Sequence, residues 1–339
     1  DAVAPSRRIN KYELVARLAR GGQGELFLAI SRGPGDFGHH FVVKRPRSDS
    51  GAGFTLEMFR HELSLCERLQ HPNIVHTHET GWTADGHYIA MEYLEGQTVS
   101  RLLRVVPDLG PEVWAWFAAE ALAGLGHAHA ACDHEGRHLG IVHCDVSPQN
   151  VIVTYQGDVK LIDFGIARSA WSRPTGDRGV LMRGKLRYMA PEQALGRPEA
   201  RSDIFAVGAV LWEAIARRKL FHGDDGAVLD ALFGAPTPTL SSIVPNVDRG
   251  LERIVTAALA RDPRARFQCA LDMREALLDR VRRAARPVTR GLVASLLEAP
   301  FRRLREETRA FVESVSSGRP AESAQVPVTT SQGSHRRCP

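Results

Sequence analysis

The sequence predicts an α+β chain, and 339 residues are enough for two domains or for one two-lobed domain with a tail. From Lys11 to Ile30, strand-forming residues lie on both sides of a glycine-rich turn. Between Ile141 and Ala167, two further β-branched runs flank a second turn. The segment Pro111 to Ala131 instead has the apolar, Ala-rich pattern of a long buried helix.

Composition and charge exclude several classes of protein. The chain is 43% hydrophobic and 24% charged, as is ordinary for a soluble globular protein. Its net charge of +5 arises from charges of mixed sign, so we expect no nucleic-acid partner. The five cysteines are scattered, which argues against a disulfide framework or zinc site and favours a reducing, cytoplasmic location. The longest apolar run, Ile204 to Ala216, contains Glu213, so we expect no membrane span.

The first residue is Asp1 rather than Met, as in a processed or excised piece of a longer protein.

The stretch around Asp145 contains three polar residues in a fixed arrangement. Asn150 and Asp163 flank the two β-branched runs, which are joined by a turn at Gln156-Gly157-Asp158. An antiparallel hairpin would bring Asn150 and Asp163 side by side, with Asp145 on the preceding loop. Carboxylate and amide oxygens suit a hard cation such as Mg²⁺ carried on a polyphosphate. A hairpin with polar ends is also common in α/β proteins, so this pattern alone leaves both interpretations open.

A lysine on an apolar strand is a second indication. In Phe41-Val42-Val43-Lys44, strand alternation places Val42 and Lys44 on one face. A buried lysine costs free energy unless it meets a negative partner, and a carboxylate or a phosphate would serve. The carboxylate candidate is Glu62, in the helical pattern from Leu56 to Leu69. An ordinary surface position for Glu62 is the alternative.

The glycine cluster precedes this strand. Gly21, Gly22 and Gly24 let the backbone turn sharply and can bring N–H groups close to an anion, although many hairpins have such glycines only for the turn. No Lys-Ser/Thr pair follows, so this is not a Walker A loop. Further along, Tyr88 to Leu94 indicates a buried strand that runs into a polar segment, and such an edge can offer backbone groups to a purine base.

These motifs occur together and in order in one family. The chain resembles the bacterial eukaryotic-like (Hanks-type) serine/threonine protein kinases over about residues 11–282. The matching segments are the glycine-rich loop, VVK with Lys44, Glu62, HPNIV, the hinge segment MEYLEG, HCDVSPQN, DFG (Asp163 to Gly165), APE (Ala190 to Glu192) and SDIFAVG. Any one of these segments is weak evidence, whereas the ordered set is very specific.

The resemblance implies a bilobal protein-kinase fold, with a small β-rich N-lobe, a larger and mainly helical C-lobe, and ATP in the cleft between them. The expected ranges are an N-terminal extension over 1–10, an N-lobe over 11–91, a hinge over 92–97, a C-lobe over 98–282 and a C-terminal tail over 283–339.

The tail departs in composition from the rest of the chain. Helical spacing continues to Leu304 with an interruption expected at Pro300, and from Ser316 onward the composition is typical of disorder. A helix with a solvated basic face is the simplest interpretation; docking on the lower lobe and binding of a partner are the alternatives.

The resemblance also implies a role for each motif residue. Asp145 would orient the attacking hydroxyl group and accept its proton, while Asn150 and Asp163 would hold Mg²⁺, or Mn²⁺ in its place, on the ATP phosphates. Lys44, braced by Glu62, would clamp the α- and β-phosphates. The positions that would surround the nucleotide with Lys44 are Ala19, Gly21, Gly22, Gly24, Leu26, Val42, the gatekeeper Met91, Glu92, Leu94 and Ile152.

Some implied roles are architectural. Glu192 should pair with Arg266, and Asp203 should brace the backbone of the catalytic loop. His127 and His129 lie two positions apart in a helical segment and do not share a face, so packing and solvation are a better interpretation than a metal site.

The chain departs from the family pattern at four positions. Ala19 replaces the first glycine of the loop. Cys144 replaces the arginine that gathers an activation-loop phosphate, so we expect activity without phosphorylation of Ser169, Ser172 or Thr175. Ser147 and Lys185 replace a lysine and a threonine that meet beside the catalytic aspartate in the family.

Ser147 and Lys185 thus exchange a hydroxyl and an ammonium group, and Lys185 is a fourth expected catalytic residue beside Asp145, Lys44 and Glu62. The expected function is ATP-dependent phosphorylation of serine/threonine hydroxyls on protein substrates, in signal transduction. The alternative is a pseudokinase that binds nucleotide or partners as a scaffold with little transfer activity.

Overall fold

The computed structural model describes residues 7–21, 24–32, 38–45, 68–83, 86–164, 186–234 and 236–316. They form two compact units. The small unit contains the described residues up to 45, together with 77–95 and 301–316; the large unit contains 68–76 and 96–300. The helix predicted from Leu56 to Leu69 lies almost entirely outside the described residues.

One antiparallel sheet forms the small unit, in the strand order β1-β2-β3-β4-β6-β5. Its strands are β1 (Arg7–Ile9), β2 (Tyr12–Gly21), β3 (Gly24–Arg32), β4 (Gly38–Arg45), β5 (Thr77–Thr83) and β6 (Gly86–Glu92). Alternate residues of these strands bury one face in a cluster that includes Ile9, Tyr12, Phe27 and Val43. The sheet therefore begins at Arg7, inside the range expected to be an extension, because Ile9 belongs to this core.

The glycine-rich segment lies at the β2–β3 turn. The two strands pair as far as Gly21 opposite Gly24. Gly24 has a φ angle of +139°, a backbone conformation that side chains rarely adopt, so a glycine is required there. The predicted strand–turn–strand is confirmed.

A single carboxylate on β5 contacts side chains of both β2 and β6. Glu79 on β5 accepts hydrogen bonds from the Tyr12 hydroxyl at 3.1 Å and the Tyr88 hydroxyl at 2.6 Å, and lies 2.5 Å from Lys11 Nζ. Burial opposes the charge, but hydrogen bonds from Lys11, Tyr88 and Tyr12 outweigh it and lower the pKa of Glu79 to about 2. The ionised carboxylate is therefore part of the small unit's core architecture.

The large unit combines a short sheet with several helices. Its strands are β7 (Gly96–Thr98), β8 (Val151–Thr154) and β9 (Val159–Leu161), paired in that order. Its helices are α1 (Val99–Val105), α2 (Pro111–His129), α3 (Pro191–Ala194), α4 (Ala200–Ala216), α5 (Asp225–Phe233), α6 (Arg249–Ala258) and α7 (Ala270–Arg282). Helices α2 and α4 are apolar on nearly all sides and form the centre of this unit.

The last described helix, α8 (Arg290–Ser316), runs without a break through Pro300, where the sequence predicts an interruption. A proline inside a helix removes one hydrogen bond and costs about 3 kcal/mol. Here Val293, Leu297 and Phe301 recur every fourth residue and are almost fully buried, which offsets that cost.

Helix α8 also starts at a close contact within the large unit. The Arg290 guanidinium lies 2.8 Å from Asp158 in the β8–β9 turn. A side chain at Gly157, which has a φ angle of +89°, would collide with the backbone oxygen of Arg290. The start of the helix thus packs against the β8–β9 turn, as in the docking alternative, while the Arg290 side chain remains 63% exposed.

Candidate functional site

The predicted hairpin in the large unit is confirmed. Strands β8 and β9 pair antiparallel, with Val151 opposite Leu161, and the Ile162 N–H donates to the Asn150 carbonyl at 3.0 Å. Asn150 and Asp163 are therefore brought to the same end of the hairpin, because each lies just outside the last paired residues. Asp163 has a φ angle of +67°, an uncommon conformation for a non-glycine residue, and such residues cluster at functional sites.

Asn150 binds Asp145, on the loop before β8, through its amide group. Its Nδ2 atom donates to the Asp145 backbone oxygen and to Asp145 Oδ2, both at 2.8 Å. The Asp145 side chain is buried, and these bonds orient its carboxylate. Because both amide hydrogens are directed to Asp145, the amide oxygen Oδ1 is the atom of Asn150 that remains suited to a cation.

Asp203, at the start of α4, holds the backbone of the loop that precedes Asp145. Its Oδ2 atom accepts from the His143 N–H at 2.8 Å and its Oδ1 atom from the Cys144 N–H at 2.9 Å. Cys144 has a φ angle of +63°, so these two bonds stabilise a bend that places Asp145 next to Asn150. The expected bracing by Asp203 is confirmed.

Two histidines complete this network, and the sequence did not predict their roles. His129 Nε2 lies 2.8 Å from Asp203 Oδ2, so this largely buried histidine packs against a specific carboxylate partner. His143 Nδ1 accepts from the Asp145 N–H at 3.2 Å, and its ring lies 4.3 Å from the Phe164 ring. Only the fold could reveal the contact of His129, because its partner lies 74 positions away in the chain.

The segment that follows residue 185 is anchored beside the same loop. Gln193 Nε2 donates to the Cys144 carbonyl at 2.7 Å. Glu192 binds Arg266 through two hydrogen bonds of 2.7 and 2.8 Å and also accepts from Ser202. Burial opposes the charge on Glu192, but the bonds from Arg266 and Ser202 lower the pKa of its carboxyl group. The expected Glu192–Arg266 pair is confirmed.

A second buried carboxylate lies near the start of this segment. Glu213 on α4 accepts from the Tyr188 hydroxyl at 2.7 Å and lies 2.5 Å from Lys219 Nζ. Burial, and then the charge of Glu213, raises the pKa of the Tyr188 hydroxyl. Glu213 therefore interrupts the apolar run of α4 because it anchors Tyr188, a role that the sequence did not predict.

In the small unit, two rows of residues cross the sheet beside Lys44. Ala19 pairs with Leu26, and Leu26 pairs with Lys44; the next row joins Leu28, Val42 and Met91. Directly paired residues project from the same face of a sheet, so these side chains share a face. Lys44 is 5% exposed, which agrees with the expected buried lysine.

The remaining predicted positions are divided between the units. Glu92 ends β6 and Leu94 follows it in the small unit, whereas Ile152 lies on β8 in the large unit, opposite Thr98 and Lys160. Gly22, Glu62, Gly165, Lys185 and the three hydroxyl residues Ser169, Ser172 and Thr175 lie outside the described residues.

Comparison with known proteins identifies relatives of this chain. Residues 12–277 match the family model described as the protein kinase domain. The tyrosine-protein kinase MasK of Myxococcus xanthus is 39% identical over 78% of this chain and 42% of that protein. A probable serine/threonine-protein kinase of Streptomyces coelicolor is 34% identical over 81% of this chain and 41% of that protein. The chain thus spans about two fifths of the length of these relatives.

The fold has solved counterparts as well. The crystal structure of the Mycobacterium tuberculosis PknI kinase domain, in a double-mutant form, aligns with a TM-score of 0.60 and 26% identity, covering 82% of this chain and 99% of that one. Across the described part of the chain, every helix is too short or too polar to span a bilayer.

Proposed function

The chain belongs to the protein kinase family, and we propose that it is an active protein kinase. The proposed reaction is transfer of the γ-phosphoryl group of ATP to serine or threonine hydroxyls of protein substrates, in signal transduction. Protein phosphorylation as such follows from the family, whereas the acceptor residue, the metal and the signalling role are proposals.

The observation that carries the proposal is the Asp145–Asn150 contact. Both hydrogens of the Asn150 amide are directed to Asp145, which leaves the amide oxygen for a cation, and Asp163 lies at the same end of the hairpin. An amide oxygen and a carboxylate are ligands that fit Mg²⁺ or Mn²⁺. Bound there, the metal would neutralise the charge of the ATP phosphates.

The protein residues supply positioning and charge. Asp145, oriented by Asn150, would align the acceptor hydroxyl and take its proton. Lys44 would bind the α- and β-phosphates, with Glu62 as its brace, beneath the glycine-rich turn. Phosphoryl transfer depends mainly on such positioning and electrostatic stabilisation, so this set of residues suffices.

The adenine would lie against the sheet face that carries Leu26, Val42 and Met91. Ile152 is a further proposed contact to the base. Glu92 and Leu94 would offer their backbone N–H and C=O groups to the edge of the base. Ala19 and the glycines at 21, 22 and 24 would cover the phosphates.

A charge exchange would complete the site. Ser147 is buried beside Asp145, and its carbonyl accepts from the Asn150 N–H at 3.0 Å. We propose that Lys185 supplies the positive charge that Ser147 lacks. The reaction requires a cation near the transferred phosphate, and this cation can be carried by a residue at either of the two sequence positions.

Activity would not require phosphorylation of the segment between Asp163 and Glu192. Cys144 stands where the family has an arginine for that phosphate, and a thiol cannot bind it. The bend at Cys144 is instead stabilised by Asp203 and Gln193. These contacts support a catalytic loop that is organised without a phosphate.

Serine or threonine is the proposed acceptor because the Streptomyces coelicolor relative is named a serine/threonine kinase. MasK is named a tyrosine kinase, and Ser147 replaces a residue that marks the serine/threonine class, so a tyrosine acceptor is the competing outcome. Phosphoamino-acid analysis of the labelled product would distinguish the two. We expect phosphoserine and phosphothreonine, and phosphotyrosine alone would contradict the assignment.

Transfer from γ-labelled ATP to a generic protein acceptor tests the proposal as a whole. We expect Mg²⁺-dependent incorporation by the wild-type chain and its loss in Asp145→Asn, which keeps the shape of the site but not the carboxylate. The second candidate is a nucleotide-binding scaffold, favoured by the loss of the family's lysine at Ser147. Thermal stabilisation by nucleotide without transfer would support the scaffold and contradict the kinase.

A further inference from the structure

Helix α8 lies outside the family match, which ends at residue 277. The second half of the helix belongs to the small unit. Val312 is buried there in a cluster with Ala16 and Leu28, and Phe311 packs against the same cluster. The helix is therefore part of the core of the small unit, and the family description does not account for it.

The cluster beneath α8 lies on a functionally important face of the sheet. Ala16 pairs with Leu28, Leu28 with Val42, and Val42 with Met91, so the four side chains form one row across β2, β3, β4 and β6. The helix covers one end of this row, and the proposed adenine-contacting residues form the other.

The same helix binds the segment that follows β6. Arg309 Nη2 donates to Glu95 Oε2 at 2.8 Å, and Arg309 Nε donates to Oε2 at 3.2 Å and to Oε1 at 3.3 Å. Arg305, one turn earlier, lies 4.0 Å from Glu95 Oε2. Tyr93 packs in the cluster with Phe311. Tyr93 and Glu95 alternate with Glu92 and Leu94, whose backbone groups are the proposed adenine contacts.

We propose that Arg309, Phe311 and Val312 are positioning residues for the nucleotide, and we call them the α8 anchor. The inference rests on the proposed function. The anchor joins Tyr93 and Glu95 to the strands that carry the glycine-rich turn, so the two parts of the small unit that contact ATP are held at a fixed distance. A binding site that is already ordered loses less conformational entropy when ligand binds, and loss of the anchor therefore weakens ATP binding.

This role makes a specific kinetic prediction. The anchor does not touch the reacting atoms, so its loss changes the affinity for nucleotide and not the chemical step. Arg309→Gln and Glu95→Gln should each raise the KM for ATP and the Kd of a fluorescent ATP analogue about threefold to fivefold, as expected for loss of a partly exposed ion pair. Phe311→Ala should raise both on the order of tenfold. The kcat at saturating ATP should stay within about twofold of wild type.

The matched control is Arg303→Gln in the same helix. The Arg303 side chain is 91% exposed and pairs only with Glu307 among the described residues. Its neutralisation should leave the Kd unchanged. The double variant Arg309→Gln/Glu95→Gln should be no weaker than Glu95→Gln alone, because Glu95→Gln already removes the interaction with Arg309.

Melting temperature separates positioning from stability. If Phe311→Ala fails to fold, Phe311→Leu takes its place, since it keeps most of the apolar volume. Variants that melt earlier but bind nucleotide with wild-type Kd would overturn the inference while leaving the proposed function intact. A wild-type chain that binds no nucleotide would overturn both.

Discussion

Arg266 and Glu192 form two nearly parallel hydrogen bonds of 2.7 and 2.8 Å, although 74 positions separate them. The Arg266 side chain is completely buried, and it also donates to the backbone oxygens of Arg201, Ala260 and Arg261. The pair therefore joins the end of the 165–192 segment to the loop before α7, and its geometry is that of a planar guanidinium matched to a carboxylate.

Glu192→Gln should lower the free energy of unfolding by about 3–5 kcal/mol, because it leaves a buried guanidinium without its counter-charge. Urea denaturation followed by circular dichroism measures this difference. Arg264→Ala, an exposed arginine two residues before Arg266, is the control and should change stability by less than about 0.5 kcal/mol. Equal stability of Glu192→Gln and wild type would show that the pair contributes nothing net.

Asp203→Asn should reduce kcat on the order of 100-fold with little effect on the KM for ATP. The carboxylate accepts two backbone N–H groups and contacts His129, and an amide cannot replace it as acceptor on both oxygens. The bend at Cys144 would then relax and displace Asp145. Asp230→Asn, on the exposed side of α5, is the matched control. An unchanged kcat would contradict the positioning of the loop by Asp203.

Glu79→Gln should destabilise the chain in a way that depends on pH. The folded pKa of Glu79 is lowered from 4.5 to about 2, so its contribution is fully present above pH 4.5 and is lost as pH falls through 2. The side chain is 24% exposed, and the shift corresponds to about 3 kcal/mol at most.

Denaturant titrations of wild type and Glu79→Gln between pH 2 and 7 test this. The difference in unfolding free energy should be largest above pH 4.5 and should shrink towards pH 2. A difference that does not vary with pH would mean that the charge of Glu79 is irrelevant and that only its shape matters. Glu13→Gln, a half-exposed carboxylate on β2, serves as the control for the loss of a surface charge.

Lys185→Ala should lower kcat on the order of 100-fold and leave the KM for ATP nearly unchanged, because the proposed ammonium group acts on the transferred phosphate. Lys185→Arg keeps the charge and should retain most of the activity. Steady-state kinetics with varied ATP separates the two constants. Wild-type turnover in Lys185→Ala would refute the exchange with Ser147.

The triple variant Ser169→Ala/Ser172→Ala/Thr175→Ala should phosphorylate a generic acceptor at a rate similar to wild type. Cys144 provides no cation for a phosphate in this segment, so removal of the acceptor hydroxyls should cost nothing. Phosphatase treatment of the wild-type chain is an independent measurement with the same expected result. Loss of activity in the triple variant would show that the segment requires phosphorylation after all.

Much of the fold followed from local patterns in the chain. The β8–β9 hairpin, the β2–β3 turn at Gly24 and the apolar helices α2 and α4 all depend on residues close together in sequence, where periodicity and turn chemistry act directly. The order of the motifs also predicted long-range pairs such as Glu192 with Arg266, through the resemblance to a family and not through periodicity.

What only the tertiary structure decided are contacts between distant, locally unremarkable residues. The sequence predicts only packing and solvation for His129, whereas the fold brings Asp203 to it from another helix. No local pattern distinguishes Arg309, yet it binds Glu95 across 214 positions. Pro300 predicted a break, yet burial of the helix on both sides of it outweighs one lost hydrogen bond. Local conformational propensities contribute at most a few kcal/mol to the free energy of folding. Burial and side-chain pairing in three dimensions contribute more, and therefore decide which local preferences are realised.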